Sequence, residues 1–316
     1  MSDIPIIDIT LLSSDRLEDR RAVAARIGEA CRGAGFFLIT GHGVPPRIVE
    51  AAFAASRRYF DQPLEAKLEL QMTAATGNRG YAGLEVERLN ERAADLKEAF
   101  NIGLDLSPDD PQIVARKPFR AVNLWPDLPG WRATVLAYYD SCMRVSRSLH
   151  RGFSLDLGIA EDFFDDKIDQ PIATLRMLHY PPAPAAGTDQ PGAGEHTDYG
   201  TVTILATDGV PGLEVRRRDG GWIRAPHAPG AFICNIGDCL MRWTNDIYVS
   251  TPHRVVPPAR DRYSIAFFVD PNPDAVVRVL DSCRRPGEPL KYEPVTGADY
   301  LRSRFAATYS KAVAAS

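Results

Sequence analysis

The chain has 316 residues, 45% hydrophobic and 25% charged, with a formal net charge of −4. That length holds one large domain or two small ones, and the balance is that of a soluble globular protein. Slight acidity gives no reason to expect nucleic acid or an acidic membrane as partner, and no apolar run approaches the ~18 residues that span a bilayer. The start, MSDIPIIDIT, carries Asp3 and Asp8 and lacks the basic stretch of a signal peptide. Five cysteines without C-x-x-C spacing predict reduced thiols in a cytoplasmic protein.

Ile4 to Asp8 read as a short strand. Ser13, Ser14 and Asp15 offer caps for a helix that runs to about Arg32, where Gly33 and Gly35 stop it. Phe36 to Thr40 form a buried strand. A second helix starts after Pro45 and Pro46 and ends near Phe60, and a short helix can follow Pro63. Residues 75–92 are a long polar loop, of the kind that carries function or disorder; Arg79, Tyr81 and Glu85 are its candidates for touching a substrate. Residues 96–105 alternate like a strand that brings Phe100. From about Pro129 to Gly158 a long helix shows Trp131, Val135, Tyr139, Cys142, Leu149 and Phe153 on one face, which predicts burial against a sheet. His150 on that helix reads as a core histidine.

From Thr174 onward helix signals nearly vanish. TLRMLHY, TVTILAT, GLEV, GWIRA, AFICNI, HRVV, YSIAFFV and VVRVL alternate with Gly/Pro turns. About eight short strands so spaced predict a mainly β chain with flanking helices and a jelly-roll core, where inward residues from several strands meet in one cavity. GEHTDYG, at 194–200, enters that core early. Read as extended chain, it points His196 and Asp198 to one side. An imidazole and a carboxylate are two of the three ligands of the facial site used for non-haem iron(II). His253, opening a later strand, is the candidate third. In RYSIAFFV both faces are apolar beyond Ser264, so Arg262 would be costly to bury without an anion. A small carboxylate would satisfy Arg262 and Ser264. His253 and Arg262 flank the turn VPPARD and are expected on neighbouring antiparallel strands. Each feature alone has a blander reading: a histidine beside an acid in a loop, a barrel-mouth histidine, an arginine in a turn.

Together these residues resemble the iron(II)/2-oxoglutarate-dependent oxygenases, in the isopenicillin N synthase-like branch. HTD at 196–198, His253 and RYS at 262–264 carry the motif. IPIIDIT, GFFLITGHGV, YFDQPLEAKLEL and NRGYAGLE resemble the family's N-terminal region. LRMLHYPP, CNIGDCLMRWTND, HRVVPP and RYSIAFFVDP resemble its core. The resemblance implies a distorted double-stranded β-helix in one compact unit: an N-terminal region at 1–120, a backing helix at 121–170, the core at 171–275 and a C-terminal strand and helix at 276–316. It implies iron(II) on His196, Asp198 and His253. It implies 2-oxoglutarate as cosubstrate, its distal carboxylate on Arg262, Ser264 and Tyr180, with ascorbate as a stimulant. One departure is Leu178, where plant members often carry an Asn.

The implied reaction oxidises a small molecule with O2, hydroxylation being the usual outcome, and releases succinate and CO2; no obligate protein partner is evident. Arg176 and Tyr199 join Arg79, Tyr81, Glu85 and Phe100 as candidates for the substrate pocket. Two alternatives stand beside this: an iron oxidase that uses O2 without 2-oxoglutarate, and a barrel that binds a small molecule without catalysis.

Overall fold

The computed structural model describes residues 4–84, 95–182 and 191–313. The strands are β1 (Ile6–Asp8), β2 (Phe36–Thr40), β3 (Gly80–Ala82), β4 (Glu98–Gly103), β5 (Ile172–Tyr180), β6 (Ala193–His196), β7 (Val202–Thr207), β8 (Leu213–Arg216), β9 (Trp222–Arg224), β10 (Phe232–Ile236), β11 (His253–Val255), β12 (Arg262–Asp270), β13 (Val276–Val277) and β14 (Val295–Thr296). The helices are α1 (Leu17–Arg32), α2 (Pro46–Phe60), α3 (Leu64–Leu68), α4 (Pro111–Val114), α5 (Trp131–Asp156), α6 (Asp238–Trp243) and α7 (Gly297–Val313). An eight-stranded sheet in the order β1-β2-β10-β7-β12-β5-β4-β3 faces a four-stranded sheet in the order β6-β11-β8-β9. This is the expected double-stranded β-helix. Among the described residues no helix is long and apolar enough to cross a membrane.

Period-two alternation divides each central strand of the large sheet between two environments. Ile102, Leu175, Met177, Ile204, Cys234, Ile265 and Phe267 point outward to one apolar cluster with the buried faces of α1, α2 and α5. All six of the long helix's stripe residues are buried there. Phe36, Leu178, Tyr180, Ile233 and Ala266 point inward, where they meet Leu213, Val215 and Val255 of the small sheet. Facing sheets thus leave an inner layer, and part of that layer is open as a cavity.

Several local expectations are corrected. α1 starts at Leu17, after a 3-10 turn at Thr10–Ser13, and its N-cap is Arg16 with no side-chain cap. Ser14 instead accepts from the Arg16 N–H and donates to Asp19. VVRVL supplies only Val276–Val277, paired with Val295–Thr296 in a sheet of its own, so Ala193–His196 takes its place among the eight core strands. The short helix α6 is absent from the sequence reading: six residues are too few to show a helical period.

On the outer face, one polar network ties β4, β5 and β12 together close to the inward-facing pair Tyr180 and Arg262. His179 meets Glu98 at 2.8 Å through Nδ1 and Asp261 at 2.7 Å through Nε2, and its ring stacks on Tyr263 at 4.6 Å. Glu98 also accepts from Lys67 at 2.7 Å and from Tyr81 at 2.6 Å. Burial alone would lower the His179 pKa, but the contacts with Glu98 and Asp261 outweigh it and raise the value. A raised histidine stabilises the fold fully below its unfolded value, roughly 6.5, and loses that contribution as pH rises through the folded value. His179→Gln should therefore lower the thermal midpoint more at pH 6 than at pH 8.5, as read by circular dichroism.

Candidate functional site

His196 ends β6 and His253 begins β11, and the two are directly paired across those antiparallel strands. Their rings lie 4.4 Å apart between centroids. Asp198 is not on the strand: it falls in the turn after β6. That turn is clamped rather than loose. The Asp238 N–H donates to the Asp198 carbonyl at 2.8 Å, and the Cys239 N–H donates to the Gly200 carbonyl at 2.9 Å. A Cβ on Gly200 would sit 2.3 Å from the Val269 carbonyl oxygen, so only glycine lets the turn lie this close to β12. His150, hydrogen-bonded at both ring nitrogens, braces Thr201 from α5, the core role expected of it.

The two imidazoles share one tautomer. His196 Nδ1 lies 2.7 Å from the Gly194 carbonyl and His253 Nδ1 lies 3.1 Å from the Thr251 carbonyl. A carbonyl can only accept, so each Nδ1 carries a proton and each Nε2 is the nitrogen left to face the carboxylate and offer a lone pair to an ion. Those Nε2 atoms lie 3.8 Å and 3.6 Å from Asp198 Oδ1, and one ligand atom from each of the three residues lies within 4.8 Å of the others. Donors about 2.0–2.2 Å from a shared ion stand about 3–3.5 Å apart, so the trio is close to ligating distance. The other carboxylate oxygen, Oδ2, accepts from Asn235 Nδ2 at 2.7 Å and from the Thr203 hydroxyl. Burial alone would raise the Asp198 pKa, but the imidazoles of His253 and His196 and then these hydrogen bonds outweigh it, and the carboxyl is lowered. Burial, then the neighbouring His253, lowers the His196 pKa. Neutral imidazoles beside an ionised carboxylate are what a divalent ion requires.

A cavity of about 260 Å³ opens between the sheets onto this trio. At one end Arg262 is 1% exposed. Its Nε donates to the Val210 carbonyl at 3.2 Å, its Nη1 to Ser264 Oγ at 3.3 Å, and its guanidinium lies 4.8 Å over the ring of Tyr180. Among the described residues no carboxylate pairs with it. The expectation that His253 and Arg262 sit on neighbouring strands is wrong: β11 and β12 belong to different sheets. Arg262 reaches back across the cavity and lies on Gly212, where a Cβ would be 3.2 Å from its Nε. Gly212 is three residues along from Val215, the partner of His253, or about 10 Å.

At the other end the lining includes Arg79, Arg176 and Tyr199 with Phe119, Leu301 and Phe305. Tyr81 and Phe100, expected there, belong to the outer cluster with Tyr59 and Trp131. Phe100 alternates with Asn101, which takes the inward face, so the strand at 96–105 is as expected and the side is not; Tyr81 lies in β3, inside the stretch expected as a loop. Glu85 lies outside the described residues. Thr203 and Asn235 are not singled out by the sequence; Asn235 stands in plain view in CNIGD, but nothing local marks it as a carboxylate's partner. Asp270 is also missed. It lines the cavity, and burial first, then the charges of Asp198 and Asp238, push its carboxyl up to about 7.

Residues 171–271 match the model of the 2OG-Fe(II) oxygenase superfamily, and residues 4–128 match that of the non-haem dioxygenase in morphine synthesis N-terminal region. The chain is 34% identical over 319 residues to the 2-oxoglutarate-Fe(II) type oxidoreductase hxnY of Emericella nidulans, covering 98% of this chain and 91% of that one. The chain belongs to the 2OG-Fe(II) oxygenase superfamily. It is also 37% identical over 313 residues to the homoarginine-6-hydroxylase 2-ODD-233 of Oryza sativa, covering 94% and 95% of the two chains. Among solved structures it is similar to that of a full-length Neurospora crassa protein in complex with alpha-KG, with a TM-score of 0.87, 32% identity and coverage of 97% and 96%. JOX2 in complex with 2OG, Fe and JA aligns with a TM-score of 0.79 at 31% identity, covering 96% of this chain and 85% of that one. This oxygenase is thus an iron(II)- and 2-oxoglutarate-dependent enzyme of a family that acts on small molecules with O2, and the oxidase and non-catalytic alternatives fall behind that reading.

Two substitutions grade the trio. His253→Ala should abolish iron(II) binding measured by anaerobic titration. Asn235→Ala, which leaves all three donors but loosens the carboxylate, should weaken binding about 10- to 100-fold.

Proposed function

We propose that His196, Asp198 and His253 hold the iron(II) of this oxygenase, and that Arg262, Ser264 and Tyr180 hold the distal carboxylate of 2-oxoglutarate. The single observation that carries the assignment is the buried Arg262 guanidinium, which has no carboxylate partner among the described residues and opens onto the same cavity as the His-Asp-His trio. Burying a guanidinium without an anion is costly, and a five-carbon dicarboxylate has the length to reach from the trio to it. The bound iron supplies the dioxygen chemistry that couples decarboxylation of 2-oxoglutarate to succinate with oxidation of the substrate.

The protein's own part is ligation, orientation and exclusion of water. The Gly194 and Thr251 carbonyls fix the imidazole tautomers, while Asn235 and Thr203 leave Asp198 one free oxygen to offer. Ser264 and the Tyr180 ring hold the Arg262 fork in place for a bidentate carboxylate. Tyr199, Phe119, Leu301 and Phe305 wall the chamber on the far side of the trio, where Arg79 and Arg176 also stand. We place the substrate there and take hydroxylation of a small molecule as its outcome. We also take the chain as one unit, with residues 1–120 and 121–170 backing a core at 171–275 and residues 276–316 closing it.

Arg262→Gln should raise the KM for 2-oxoglutarate by at least about tenfold, the worth of one charge-assisted bidentate pair. Arg262→Lys should fall between, because it keeps the charge and loses the fork. Succinate release in the presence of iron(II) and ascorbate is the measurement; an unchanged KM in both variants would remove Arg262 from the cosubstrate site.

A further inference from the structure

A second guanidinium in the cavity lacks a counter-ion among the described residues. Arg79 follows Asn78, which has a left-handed φ of 65°, and precedes β3. The residue is 3% exposed and lines the chamber. Its described hydrogen bonds are long ones, from Nη1 to the carbonyls of Gly77 at 3.3 Å and Asn78 at 3.4 Å. Its Nε is buried with no partner at all. No described hydrogen bond is made by Nη2, which lies against Gly103 on a side chain that lines the chamber. Among the described residues no carboxylate pairs with this group. Burial lowers its pKa to about 10, against which Tyr139 works to raise it, while another cation, Arg120, lowers it further. At that value it is still a cation at neutral pH.

Room has been made for it. The Arg79 guanidinium lies against Gly103 of β4, where a Cβ would come within 1.9 Å of Nη2. Gly103 stands in one row across the sheet with Thr174, Phe268 and Thr203, and Thr203 is the residue that bonds Asp198. Arg79 is therefore level with the trio and three strands to its side, or about 14 Å at ~4.8 Å per strand. Arg262 lies elsewhere, six residues along β12 from Phe268, about 20 Å. The two cations stand at separate ends of the cavity with the metal-ligating group between their directions. The cavity walls also include Phe119 and Phe305, whose rings meet at 5.9 Å.

The geometry points to Arg79 as the anchor for an acid group of the oxidised substrate, which makes that substrate a small organic acid with an apolar or aromatic body. The body fills the aromatic chamber, the acid group lies on Nη2, and the carbon that reacts lies several bonds away, next to the trio. This rests on the oxygenase reading of the same site, and it adds a charge requirement which that reading does not contain. Arg79 is a binding residue, specific to the substrate and remote from 2-oxoglutarate.

The test uses matched pairs. Aromatic and aliphatic monocarboxylic acids with five to nine atoms beyond the carboxyl, each beside its primary amide, are titrated calorimetrically into the full chain loaded with iron(II) and 2-oxoglutarate without oxygen. The wild type should bind acids at least about tenfold tighter than their amides, and Arg79→Gln should erase that preference. Arg79→Lys should retain part of it, which guards against a glutamine variant that folds poorly. The thermal midpoint of the ligand-free Arg79→Gln chain should not fall, because the substitution removes an uncompensated buried charge. Equal affinity for acid and amide, no acid bound anywhere in the panel, or a preference that survives in Arg79→Gln overturns the proposal. Succinate formed by the wild type from 2-oxoglutarate alone is measured separately: its absence would count against the oxygenase reading and leave the acid/amide ratio to judge Arg79.

Discussion

Two imidazoles paired across one sheet, opposite a carboxylate governed by the other, form the contact on which the rest of the site depends. His196 and His253 come from adjacent strands of the small sheet. Asp198 hangs in a turn, but its carboxylate is aimed by Thr203 and Asn235 of the large sheet. Neither sheet could build the trio alone. The distance between the sheets, set by the inner layer of Phe36, Leu178, Val215 and Val255, decides whether three donors come within reach of one ion. Gly200 and Gly237 work to the same end, since a Cβ on either would meet backbone at 2.3 Å and push the Asp198 turn away.

Charge is placed unevenly within the cavity. Two of its cations, Arg262 and Arg79, are deeply buried and have no carboxylate partner among the described residues. Other buried cations are treated differently: Lys67 is paired with Glu98 at 2.7 Å, and Lys97, in the wall of the same cavity, is paired with Asp95. The contrast separates buried charges that carry their own counter-ions from two that have none among the described residues. His179 is the outer-face counterpart, satisfied on both sides by carboxylates.

Much of this is legible in the sequence for physical reasons. Long periodic segments, such as α5 with its buried stripe and β12 with both faces apolar, declare themselves because burial imposes a period. The H-x-D, the distal His and the R-x-S stand out as candidates, and the family resemblance they carry in order is what joins them; the cost of burying a guanidinium without an anion singles out Arg262 alone. What stays hidden depends on tertiary placement. Phe100 is misplaced into the pocket because alternation tells which residues share a face and not which face is inward, and Tyr81 because three residues of strand, Gly80–Ala82, are too few to show a period inside a polar stretch. His253 and Arg262 are misplaced onto neighbouring strands because the VPPARD turn resembles a hairpin, whereas it carries the chain from one sheet to the other. Asp198 reads as strand because H-x-D is compatible with one, and the short α6 that holds its turn leaves no periodic trace.

The trio has a further consequence for how the chain holds together. A cation seated between two imidazoles of the small sheet and a carboxylate held by Thr203 and Asn235 of the large one is a crosslink as well as a reagent, so loading it favours the closed sandwich over any form in which the small sheet has swung away. At a hundredfold excess over its dissociation constant, a ligand that binds only the folded form adds about 2.7 kcal/mol. Chelation would then loosen β6 and β11 first, exposing their amides to exchange with solvent while the helix-backed sheet stays protected.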